Sequence, residues 1–192
     1  MLKTLRQIAS IGIVTGPAPP ADNTLLIREH LDGRIRAVLG RALCIRHVDA
    51  GSCNGCELEI HALNNPIYNL EGLGIRFVAS PRHADLLLVT GPVSRHMEVA
   101  LRRTYEAAPD PKLVVALGDC GCTGGIFGES YATRGRVSQV IPVDVAVPGC
   151  PPSPTRILQG ILTAISLSSS KTFSATTASA DAADADNSVP PS

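Results

Sequence analysis

Six cysteines carry most of the chemistry available to this 192-residue chain: Cys44, Cys53, Cys56, Cys120, Cys122 and Cys150. Five of them fall in three short segments, Gly51-Ser-Cys-Asn-Gly-Cys56, Gly118-Asp-Cys-Gly-Cys122 and Pro148-Gly-Cys-Pro-Pro152. A C-x-x-C pair between glycines is a metal or redox signature. Each segment is rich in Gly or Pro. Glycine permits tight turns and close approach of backbone to a bound group, and proline fixes φ and removes a donor. Four thiolates on such turns suit an iron–sulfur cluster, whose sulfurs are tuned by nearby N–H groups.

Cys53, Cys56 and Cys150 are candidate ligands. Cys-Gly-Cys offers two further candidates, and Cys120 is preferred to Cys122 because it directly follows the Gly118-Asp119 turn. Cys44 falls inside an apolar run and reads as a buried, inert thiol. Two rival chemistries remain. Structural zinc usually takes two C-x-x-C or C/H pairs about 12–20 residues apart, whereas the second half here is two cysteines in separate segments. A thioredoxin-like dithiol explains Cys53 and Cys56 but leaves Cys120 and Cys150 unused.

The elements that must position these segments follow from hydrophobic pattern. Strands are predicted over Leu43–Val48, Ile75–Ala79, Asp85–Thr90, Lys112–Leu117 and Val143–Val147. The third and fourth are continuously apolar, as in strands buried on both faces. Helices are predicted over 24–40, after Cys56 to about Leu63, over 93–107, and from Pro154 onward, where Ser153 can cap and Ile157, Leu158, Ile161, Leu162 and Ile165 form one face. Strands alternating with helices give an α/β fold with a mostly parallel sheet. The cysteine segments then lie just past the first, fourth and fifth strands, at the carboxyl edge where open α/β sheets bind ligands.

Composition sets the outer limits. Hydrophobic residues make up 44%, charged residues 18% and aromatics 3%, and 17 basic residues balance 17 acidic ones. Such a balance shows no electrostatic footprint for nucleic acid. No apolar run approaches the roughly 18 residues of a membrane span. Lys3 and Arg6 precede a short apolar stretch broken by Gly12, a poor signal peptide, so the cysteines read as ligands or free thiols and not as a disulfide framework. The expected organisation is an N-terminal extension (1–22), one α/β domain carrying the cysteines (23–167) and a disordered Ser/Thr/Ala/Asp tail (168–192). Residues 1–15 have one apolar face flanked by basic groups, which is expected either to dock on a partner or membrane surface or to pack on its own domain.

At the cysteine segments the chain resembles a known family. The stretches DAGSCNGCELEIHALNNP, SPRHADLLLVTGPV, GDCGCTGGIFGESY and IPVDVAVPGCPPSPT are similar to those of the small subunits of NiFe hydrogenases and the cluster-bearing 20 kDa subunit of respiratory complex I, the NADH-quinone oxidoreductase. The likeness is strongest to the small subunits of membrane-bound, formate-hydrogenlyase-type (group 4) hydrogenases. Complex I subunits carry two adjacent cysteines at the first site, whereas Cys53 and Cys56 stand two residues apart, as in hydrogenases.

The resemblance implies a flavodoxin-like three-layer sandwich. It implies one 4Fe–4S cluster on Cys53, Cys56, Cys120 and Cys150, and electron transfer as the task. The implied partners are a large catalytic subunit, a ferredoxin-like iron–sulfur subunit and membrane subunits, at the cytoplasmic side of the cell membrane and with a link to quinone in the complex I branch. Glu59 matches an acidic position of the complex I subunits. A proton-coupled role is expected of it, against helix-start capping by Glu57 or Glu59 as the plainer alternative. His47, His61, His83 and His96 have no ligand-type spacing, and Arg82 reads as a turn or interface residue.

Overall fold

The computed structural model describes residues 39–167 and, before them, Arg6, Ser10, His30 and 33–37. Most of the expected extension, most of the helix expected over 24–40 and the expected tail lie outside the described residues. Residues 33–37 and 39 are helical.

Five strands form one parallel sheet: β1 (Leu43–Asp49), β2 (Ile75–Phe77), β3 (Leu86–Thr90), β4 (Leu113–Leu117) and β5 (Val145–Val147). Their spatial order is β2-β1-β3-β4-β5, the doubly wound order of flavodoxin-like folds. β1 pairs β3 from Ile45↔Leu86 to Asp49↔Thr90, and β3 pairs β4 from Leu86↔Leu113 to Thr90↔Leu117. Every residue of β3 and β4 is buried, as their unbroken apolar sequences require. β2 and β5 hold the two edges with three residues each.

After the helical residues 33–37 and 39 come α1 (Gly55–Ala62), α2 (Arg95–Ala107), α3 (Gly118–Thr123) and α4 over residues 154–167. Side-chain alternation along the strands divides the core into two layers. Ile45, Leu86, Leu88 and Val115 pack with Ile60 of α1 and with Ile157, Leu158 and Ile161 of α4. Val48, Leu87, Val89 and Val114 pack on the other face with Leu101 of α2 and with Val137. The result is the three-layer α/β sandwich expected from sequence.

Three local structures differ from expectation. The Gly51–Cys56 segment is not loop throughout, since α1 begins at Gly55 and takes Cys56 into its first turn. The Gly118-Asp119 turn is the opening of α3, so Cys120 and Cys122 sit on a six-residue helix. The expected strand over Ile75–Ala79 ends at Phe77.

Candidate metal centre at the carboxyl edge of the sheet

Three strand exits build the site. β1 ends at Asp49, whose Oδ1 accepts the backbone N–H groups of Gly51 and Ser52, each at 2.8 Å. Those two bonds turn the chain sharply, and Ser52 Oγ accepts from Asn54 N at 3.2 Å. Cys53 is left exposed on the turn and Cys56 half-buried in α1. β3 exits beneath this turn at Gly91, where a Cβ would lie 2.6 Å from Ser52 N.

β4 exits into α3 through Gly118. Its φ is +82°, and a Cβ there would lie 2.6 Å from Cys56 Sγ. A side chain on Gly118 would therefore stand where the Cys56 thiol sits. A Cβ on Gly125 would similarly come within 2.9 Å of Cys120 Sγ. β5 exits at Pro148, and Cys150 follows on an exposed loop whose Pro151 lies within 4.0 Å of the Cβ position of Gly55. Asp119 joins the fourth and fifth exits. Its Oδ1 accepts from Gly149 N at 2.8 Å, and its own N–H donates to Gly149 O at 2.9 Å.

Electrostatics show which thiols share this edge. Burial pushes the Cys56 thiol up to about 12, and negative charge on Glu57, Cys53, Cys120 and Cys150 acts in the same direction. Cys120 is raised by burial and then by Cys150, Cys53 and Asp119. Cys53 and Cys150 thus act on both Cys56 and Cys120, and deprotonating such a set calls for positive charge.

The other two thiols are turned away. Cys122 Sγ donates to Ala116 O at 3.5 Å and packs against the second core layer. Burial holds its thiol at about 11. Cys44 sits near the opposite end of β1, with Sγ 3.9 Å from Ala42 O. Among the described residues, no three His, Cys, Asp or Glu side chains close around one ion.

Between β1 and α1 lies a cavity of about 250 Å³ whose lining includes Arg46, His47, Glu57 and His61. Glu57 is 7% exposed, and neither carboxylate oxygen has a hydrogen-bond partner. His47 Nε2 stands 3.6 Å from Glu57 Oε1 and 3.0 Å from Thr90 Oγ1. Burial holds the imidazole below its usual range, against the pull of Glu57 and Asp49. Of the two carboxylates considered from sequence, the helix buries Glu57 and leaves Glu59 half-buried. Arg82 is exposed in a short 3₁₀ turn, Pro81–His83. Sequence reasoning passed over Asp49 and Asp119. Their signal was an Asp within two residues of a glycine at a strand exit, a frequent turn-forming pattern.

Fold and site together define a class: an open α/β protein of flavodoxin strand order that presents thiols at its strand ends in place of a phosphate-binding loop. The chain belongs to the family described as NADH ubiquinone oxidoreductase, 20 Kd subunit, which its residues 53–164 match.

Among relatives, it is 47% identical over 141 residues to "Probable membrane-bound hydrogenase subunit mbhJ" of Pyrococcus furiosus, covering 72% of this chain and 84% of that protein. It is 46% identical over 127 residues to formate hydrogenlyase subunit 7 of Escherichia coli, covering 66% of this chain and 50% of that protein. The B-type subunit of NADH-quinone oxidoreductase from Desulfovibrio desulfuricans is 45% identical over 124 residues, 64% of this chain and 66% of that protein. Among solved structures, a chain of the membrane-bound sulfane sulfur reductase, an archaeal respiratory membrane complex, superposes with a TM-score of 0.59 at 36% identity, over 73% of this chain and 76% of that one. Among the described residues, no helix is long and apolar enough to cross a membrane.

Proposed function

We propose that this chain is the electron-transfer subunit of a multisubunit, membrane-associated oxidoreductase of hydrogenase or formate hydrogenlyase type, holding one 4Fe–4S cluster on Cys53, Cys56, Cys120 and Cys150. The observation that carries the reading is the convergence of the segments bearing these four thiols at one sheet edge, with Cys44 and Cys122 directed elsewhere.

The residues fit such a group. Gly118 and Gly125 make room for the thiols of Cys56 and Cys120, and Cys53 and Cys150 are exposed. The sequence pattern also favours a cluster over one zinc ion, since Cys120 and Cys150 lie in separate segments where structural zinc usually takes a second C-x-x-C or C/H pair. When bound, a cluster of this type accepts and releases single electrons. The protein's own part is to hold the thiolates, keep backbone close to them and restrict water on the buried side, where Cys56 and Glu57 lie in the first turn of α1.

The partners that fit this role are a large catalytic subunit, a ferredoxin-like iron–sulfur subunit and membrane subunits, with the chain peripheral at the cytoplasmic face. Support comes from the relatives, whose names place them in hydrogenase, formate hydrogenlyase and NADH-quinone oxidoreductase complexes. A proton accompanying the electron is assigned to Glu59 on α1. The second reading, a complex I-like subunit whose large partner lacks nickel, is favoured by the similarity to the NADH-quinone oxidoreductase relative.

The test is anaerobic isolation of the intact complex, with iron, acid-labile sulfide, zinc and nickel measured. About four iron and four sulfide per copy of this chain, in addition to those of other subunits, is the expected result. Stoichiometric zinc without sulfide would refute it. Hydrogen evolution with nickel selects the hydrogenase branch, and quinone reduction without nickel selects the other.

A further inference from the structure

We infer that Asp119 is a positioning residue for the cluster site: one carboxylate oxygen fixes Cys150 relative to Cys120, and the carboxylate's charge makes the site harder to reduce. This rests on the cluster reading above and concerns a residue that ligates nothing itself.

The geometric half starts from two hydrogen bonds that span 30 residues of sequence. Asp119 Oδ1 accepts from Gly149 N at 2.8 Å, and Asp119 N donates to Gly149 O at 2.9 Å. The pair is reciprocal, so the residue before Cys120 and the residue before Cys150 are locked side by side. The Cys150 loop needs that lock. Cys150, Pro148 and Pro151 are exposed, and one tie from the loop to α4 is a long contact from Arg156 Nη1 to Pro148 O at 3.4 Å. Gly149 has φ +144°, and a Cβ there would lie 2.6 Å from Pro152 Cα. The loop thus folds back tightly behind the thiol, and its position along the sheet edge depends on the Asp119 anchor.

The electrostatic half follows from the same placement. Asp119 is only partly buried, and it directly precedes Cys120 in the first turn of α3, so its carboxylate charge stands next to that thiol. A charge that disfavours thiolate also disfavours an added electron at the same place, since both increase negative charge on the sulfurs. An asparagine in the same rotamer would keep the Oδ1 acceptor and remove the charge. A glutamate would keep the charge and carry the acceptor one methylene away. The two substitutions therefore separate the roles.

The experiment uses the complex isolated anaerobically with wild-type chain, Asp119→Asn or Asp119→Glu. Iron and labile sulfide are counted, the cluster's midpoint potential is titrated by electron paramagnetic resonance, and iron release to a chelator is timed. Asp119→Asn should keep wild-type iron and show an upward potential shift of about tenfold in the reduction equilibrium, about 59 mV for one electron. Asp119→Glu should stay near the wild-type potential and release iron several-fold faster. An unmoved potential in Asp119→Asn overturns the charge role, and wild-type release in Asp119→Glu overturns the anchor. Absence of iron and sulfide at this site in the wild-type complex overturns the cluster reading instead.

Discussion

Gly118→Ala tests the site most directly, because the structure places a thiol where the new methyl would go. Two costs arise. The backbone at φ +82° lies in the left-handed region, which costs an L-residue about 1–2 kcal/mol. The methyl would also stand 2.6 Å from Cys56 Sγ, well inside the roughly 3.5–4.0 Å of an ordinary carbon contact. Either the thiol moves by about 1 Å or β4 shifts, and overpacking of this kind costs about 1–3 kcal/mol.

Gly128→Ala separates the two costs. Gly128 also has positive φ, +53°, but a Cβ there meets nothing within 4 Å. It should lose only the backbone part, about 1–2 kcal/mol, with iron and sulfide unchanged. Gly118→Ala should lose about 2–5 kcal/mol in total and fall below half of wild-type iron when isolated anaerobically. Full iron with an unchanged spectrum in Gly118→Ala would refute the geometry argued for Cys56. Equal iron loss in both variants would show that backbone strain alone accounts for the effect.

Three further outcomes follow from the same structure. Cys120→Ser should lose the cluster while Cys122→Ser and Cys44→Ser keep it, as read by iron content and visible absorption; loss in Cys122→Ser with retention in Cys120→Ser would reverse the ligand assignment. Burial lowers His47 below its unfolded value near 6.5. The unfolded state therefore binds the proton more readily, so the stability due to neutral His47 is present above that value and declines as pH falls through the folded one. Denaturant titrations between pH 7.5 and 5 should show a smaller acid loss in His47→Gln, and parallel slopes would sink the argument. Glu59→Gln should flatten the pH dependence of the cluster potential if a proton travels with the electron there, and an unaltered dependence would return Glu59 to a plain helix-surface role.

The strands were legible because their sequences admit little else. Leu86–Thr90 and Leu113–Leu117 are apolar at nearly every position, and such short runs between turn residues can only be buried strands or buried helix fragments. Strand order was not legible from these residues, since pairs such as Val48↔Val89 join positions far apart in sequence. The helix carrying Cys120 was not legible, because Gly-Asp-Cys-Gly-Cys-Thr-Gly-Gly has loop composition. The helix is set instead by the direction of the β4 exit and ends at Gly124, with φ +95°. That the cysteine segments share one sheet edge followed once each was placed past a strand end. The Asp119–Gly149 bonds were not readable, because they join two strand exits 30 residues apart. Nor was the choice between Glu57 and Glu59 as the buried carboxylate. It depends on how far α1 is rotated against β1, which the turn at Asp49 decides.

The shortness of the outer strands bears on the life of the chain before assembly. β2 and β5 each offer three residues at the margins of the sheet, while the long apolar strands β3 and β4 are enclosed between neighbours. Among the described residues, a newly made copy therefore presents little ribbon for another copy to zip onto. The segments most able to seed fibrils, LLLVT and LVVAL, become accessible only if the sheet itself opens.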